Sequence, residues 1–82
     1  MNKISHFVLD YYNKSVVSEI MKKYAMNEME AANAFLTSQT HAMLENADMA
    51  MWEFSAYAIL DIWESEQITG DPRNSIHLRS EL

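Results

Sequence analysis

The chain has no cysteine, so disulfide bonds and thiolate metal sites are excluded. It has one glycine and one proline in 82 residues. That scarcity argues against a disordered chain and against a β-rich fold with many tight turns. Long apolar runs are missing as well. The longest are Ala56 to Leu60 and then Met49 to Trp52, whereas a membrane span needs about 20 predominantly apolar residues. No secretory leader is expected, because His6, Asp10, Asn13 and Lys14 interrupt the first apolar stretch. These absences predict a soluble, cytoplasmic chain with no membrane contact. Positive charge is the last thing lacking: no Lys or Arg lies between Tyr24 and Pro72, where nine carboxylates do. The segment up to Lys23 carries +2, this middle −9, and the remainder +1. Such a middle repels phosphate, so direct nucleic-acid binding is not expected.

What is present favours helices. Apolar residues make up 49% of the chain, and Ala, Met, Glu and Leu are strong helix formers. The expected fold is all-α: one small domain of three to four helices over 1–82, helical to Pro72, with a tail from Arg73 to Leu82. The first helix spans about Lys3 to Tyr24. The second starts at Asn27, where Asn27 and Glu30 have capping-box spacing, and runs to about Glu45. Asn46 can serve as its left-handed end residue. The third is capped by Asp48 or by Ser55 and runs to Thr69, stopped by Gly70 and Pro72. The tail, around Ile76 and Leu78, reads as a short extended arm or a last helical turn.

At 100° per residue the second helix is amphipathic, with Met29, Ala32, Phe35, Leu36 and Met43 on one face and Gln39 among them. The first helix is unusual. Ile4, Phe7, Val8, Tyr11 and Tyr12 share one face, while Val16, Val17, Ile20, Met21 and Tyr24 share a nearly opposite one. Either the helix breaks near Asn13-Lys14-Ser15, or a continuous helix puts one face in the core and the other on a partner. The third helix is apolar on two faces: Trp52, Ala56, Ile59, Leu60 and Trp63 on one, Met51, Phe54, Ala58 and Ile62 on the other. Only Glu53, Asp61 and Glu64 form a polar sector. A helix apolar nearly all round is a buried helix, and three helices can hardly cover it.

Groups with chemical potential are few. His6 with Asp10 and His41 with Glu45 stand at i, i+4, the spacing of solvated helix-surface pairs as well as of a metal or acid–base couple. Asp61, Glu64 and Glu53 read as a solvated stripe before they read as catalytic carboxylates. The seven Met residues read first as core filler, or as an adaptable binding surface. Trp63 is expected in the core. No catalytic residue, metal ligand or cofactor site is assigned.

The resulting expectation is a non-enzymatic helical protein-interaction module that self-associates, because large exposed apolar surfaces mark interaction sites and two-fold dimers are the commonest oligomers. The expected interface is Val16, Val17, Ile20, Met21 and Tyr24, with Met51, Phe54 and Ile62. The alternative is a small acidic regulatory or inhibitory protein, antitoxin-like, that covers a basic site on a partner. No small-molecule substrate is indicated.

Overall fold

Ser5 opens the first helix, α1 (His6–Tyr24), in a computed structural model that describes residues 4–78. Its hydroxyl accepts the Phe7 N–H at 3.2 Å, satisfying one of the unpaired amides of the first turn. The helix runs unbroken through Asn13, Lys14 and Ser15. It stops at Ala25, which takes the left-handed conformation with φ 54°. Lys22 and Lys23 in the last turn complement the negative end of the helix.

Asn27 starts α2 (Glu28–Leu36) with a complete capping box. Its side chain accepts the Glu30 N–H at 2.8 Å, and the Glu30 carboxylate accepts the Asn27 N–H at 3.1 Å. The helix expected to continue to Glu45 divides instead at Thr37 and Ser38. Ser38 caps α3 (Gln39–Glu45), accepting the His41 N–H at 3.0 Å. A carboxylate from elsewhere in the chain completes the break: Glu66 accepts the N–H groups of Gln39 and Thr40, both at 2.9 Å, and the Thr40 hydroxyl at 2.7 Å. Negative charge at a helix N-terminus is favourable. This partner is far away in sequence, so local periodicity carries no trace of it.

Asn46 is extended, with φ −84° and ψ 109°, and not left-handed as expected; its side chain caps the next turn. Two 3-10 turns follow, Ala47–Met49 and Met51–Glu53, joined by Ala50 at φ 53°. Ser55, not Asp48, caps α4 (Ala56–Thr69), accepting the Ala58 N–H at 3.1 Å. Gly70, at φ 83°, ends it. A 3-10 helical turn at Pro72–Asn74 and further turns reach Leu78, so the start of the tail is a last helical turn, of the 3-10 kind, and not an extended arm. Arg79 to Leu82 lie outside the described residues. Four α-helices and no strand occur among the described residues.

The core is shared by all four helices. Tyr12, Val16 and Ile20 of α1 meet Ala31 and Phe35 of α2, Leu44 of α3, Met51, and Ile59, Ile62 and Trp63 of α4. Helix α4 packs against α1, α3 and the Pro72–Asn74 turn. That arrangement covers most of the two expected apolar faces: Met51, Ala58 and Ile62 are buried and Phe54 half-buried inside one chain, while Trp52 stays open. Within α2 the buried face also differs from the one expected. Ala31 and Phe35 are buried, whereas Met29 is 82% exposed and Leu36 is largely open.

Candidate protein-docking site

The continuous α1 buries its C-terminal apolar group and leaves only part of its N-terminal group, Phe7 and Tyr11, open; Tyr12 of that group is core, and Ile4 and Val8 pack against it. Val16 and Ile20 are fully buried and Val17 nearly so. Met21 is half-buried against the core. Tyr24 leaves part of its ring open, but that ring stands edge-on to Trp63 with centroids 6.0 Å apart, and its hydroxyl donates to Glu64. Met51 and Ile62 are fully buried and Phe54 is half-buried, its ring edge-on to His77 at 5.9 Å. The expected interface of Val16, Val17, Ile20, Met21, Tyr24, Met51, Phe54 and Ile62 is therefore core or core margin. The reason is the connection Ala25–Asn27, so short that α2 must fold back along the C-terminal half of α1 and cover it. A helical wheel carries no information on link length, so the two faces of α1 look alike to it.

The outward face belongs to the N-terminal half. Phe7 is 82% exposed and Tyr11 60%. One helical turn apart, they stand above one another as a ridge. Beside them runs a seam between α1 and the segment 47–57. Its first part is a groove of about 320 Å³ lined by Ile4, Ser5, Val8, Ala47 and Trp52. Its second part, about 270 Å³, is lined by Tyr11, Ser15, Ser18, Glu19, Ala56 and Tyr57. Trp52 and Tyr57 form the far bank and are 45% and 67% exposed.

Local geometry holds this bank in place. The hydroxyl of Tyr12, buried beneath the seam, donates to the Trp52 carbonyl at 2.8 Å and lies against the Phe54 carbonyl. Burial raises the Tyr12 pKa above its ordinary 10.0, with a contribution from Tyr11, so the hydroxyl keeps its proton and remains a donor. The left-handed Ala50 turns the chain so that Met51 enters the core while Trp52 stays outside.

The titratable groups are engaged in holding the fold. His41 is buried, not on the surface as expected: its ring lies edge-on to Phe35, its Nε2 is 3.0 Å from Asn13 Oδ1 and its Nδ1 is 3.3 Å from Glu45. The break at Ser38 rotates it inward. Burial lowers its pKa below the ordinary 6.5, partly offset by Glu45. Glu64 ties α4 to α1 through Lys23 Nζ at 2.6 Å and the Tyr24 hydroxyl. Partial burial pushes its pKa up, but the hydrogen bonds from Lys23 and Tyr24 and the Lys23 charge bring it below 4.5. His77 pairs with Asp61 at 3.3 Å. His6 and Asp10 form the exposed i, i+4 pair expected of them, 3.3 Å apart. No group of three or more His, Asp or Glu among the described residues is placed to hold a metal ion.

The seam has the chemistry of an interaction surface: aromatic banks, a mainly apolar first groove, and a second groove in which Ser15, Ser18 and Glu19 face Ala56 and Tyr57. Aromatic side chains on a polar-rimmed surface are the usual anchors of protein interfaces. Among the described residues no helix is long and apolar enough to cross a membrane. No family model, curated protein or solved structure matches this chain.

Proposed function

We propose that this chain is a non-enzymatic helical protein-interaction module that self-associates as a homodimer through the aromatic seam of α1 and segment 47–57. The observation that carries the reading is the exposure of Trp52 in one groove between α1 and segment 47–57, of Tyr11 and Tyr57 in a second, and of Phe7 one turn before Tyr11 on α1. These four open aromatics are a substantial loss of burial for an 82-residue chain, because each aromatic buries about 150–250 Å² when covered. A chain this short gains proportionately from a second subunit.

The alternative, an acidic inhibitor that covers a basic site on a partner, requires free carboxylates. In the acidic middle, Glu30, Glu45, Glu64, Glu66 and Asp71 are each occupied by a cap or a side-chain pair within the chain. The aromatic seam therefore supports the first reading better than the charge supports the second.

Solution mass by light scattering across the micromolar range tests the proposal. The expected result is a dimer that Phe7→Glu converts to a monomer with an unchanged helical spectrum. A parent that is monomeric at every concentration overturns self-association.

A further inference from the structure

We infer that the seam receives a basic amphipathic helix of another protein, laid along α1 beside Trp52, which displaces the second copy. This rests on the reading of the seam as a docking site and names a further partner for it. The shape is that of a helix groove. Val8, Tyr11, Ser15 and Ser18 line the two grooves at helical spacing, with Ile4 just ahead of them, so they form one stripe along α1. The stripe is about 20 Å long, the length of a helix of roughly four turns. Segment 47–57 supplies the opposite bank. A groove of this kind recognises an amphipathic helix through apolar anchors spaced by single turns.

Charge decides the chemistry of the occupant. The bank formed by segment 47–57 carries no Lys or Arg. It carries Asp48 next to Ala47 and Glu53 next to Trp52, both exposed. Glu19 lines the second groove. Asp10 adds a carboxylate beside the Phe7–Tyr11 ridge, 3.3 Å from His6. Of the cations on α1, Lys14 lies in a separate groove toward α2. Lys22 follows Ser18 by one turn and stands at the far end of the stripe. The apolar floor is therefore edged mainly by negative charge. A second copy brings the same carboxylates to this edge, and like charges set against each other select against a partner. A helix with an apolar stripe flanked by Lys or Arg brings their complement. Its apolar residues cover Trp52 and Val8, and its cations reach Asp48 and Glu53.

The two tryptophans make occupancy directly readable, because Trp52 is 45% exposed and Trp63 only 3%. The probe is a synthetic helical peptide of about 16 residues, leucine on one face and lysine on the other, with a twin that carries glutamate in place of lysine. The lysine peptide is expected to move the Trp52 emission to shorter wavelength and, by light scattering, to convert the dimer to one chain with one peptide. The glutamate twin is expected not to bind. Glu53→Lys is expected to weaken the lysine peptide about fivefold, and Glu28→Lys, at an exposed position that starts α2, to leave it unchanged. Equal binding of the twin, or equal weakening by Glu28→Lys and Glu53→Lys, overturns the inference as unspecific attraction. A dimer that ignores the lysine peptide overturns it while self-association stands. A parent that is monomeric at every concentration and still binds the lysine peptide at Trp52 overturns self-association and leaves the helix as the occupant.

Discussion

The Tyr12 hydroxyl donates to the Trp52 carbonyl across 40 residues of chain at 2.8 Å. One hydrogen bond thus joins the middle of α1 to the segment that carries the far bank of the seam. It also satisfies a backbone acceptor in a stretch that lies outside any α-helix. Buried or half-buried carbonyls left unpaired are expensive. Tyr12→Phe should lower stability by about 1–3 kcal/mol, and it should weaken self-association more than its effect on folding accounts for. Denaturant titration with concentration-dependent mass measurement checks both. Full stability in Tyr12→Phe would show that the hydroxyl does not anchor the segment.

Substitutions on the two faces of α1 should behave oppositely. Ile20 is fully buried, so Ile20→Glu forces a charge into the core and should unfold the chain. Phe7→Glu, at a position that is 82% exposed, should leave the melting transition nearly unchanged and act on subunit mass alone. Trp63 is 3% exposed and its Nε1 donates to the Ala34 carbonyl at 3.3 Å. Trp63→Ala should remove about 3–5 kcal/mol, a large part of the ~5–15 kcal/mol typical of a whole domain. Circular dichroism melts of the three variants separate these outcomes; a Trp63→Ala protein that melts like the parent would contradict the packing of α4.

The pH dependence near neutrality should come from His41. Burial lowers its folded pKa below the ordinary 6.5, so the unfolded chain binds the proton more tightly. Its contribution to stability is therefore full above about pH 6.5 and is lost as the pH falls through 6.5 toward the folded value. The denaturant midpoint should drop over roughly pH 7 to pH 5, the range in which histidine titrates, and His41→Gln should flatten that limb. Glu64, held below 4.5, acts in a separate and more acidic window. A midpoint in the parent that stays level across the His41 window would refute the assignment.

Among the described residues three take left-handed backbone conformations, Ala25 at φ 54°, Ala50 at φ 53° and Gly70 at φ 83°, and only one of them is glycine. The left-handed region costs an L-residue roughly 1–2 kcal/mol, partly offset on substitution by the greater unfolded-state freedom of glycine. Ala25→Gly and Ala50→Gly should each raise stability by about 0.5–1 kcal/mol. Gly70→Ala should lower it by about 1 kcal/mol, through φ alone, because a Cβ there meets nothing within 4 Å. Chemical denaturation of the three variants gives the signs, and a destabilised Ala25→Gly protein would speak against a strained turn.

Local chemistry determined much of this fold. The start of α2 at the Asn27–Glu30 box, the stop of α4 at Gly70, one of the two caps foreseen for α4, and the all-α class are each written within a few neighbouring residues. A cap or a stop needs only its own side chain and the adjacent amides, so sequence spacing suffices to find it. Tertiary structure decided the rest. The division of α2 from α3 depends on Glu66 reaching Gln39 and Thr40 from another helix. The inward turn of His41 follows from that division. Above all, the helical wheel gave α1 two apolar faces of equal merit, and it holds no information on which one α2 and α4 will cover. The short link at Ala25–Asn27 and the Tyr12 bond to Trp52 made that choice, burying Val16 and Ile20 and leaving Phe7 and Tyr11 to solvent.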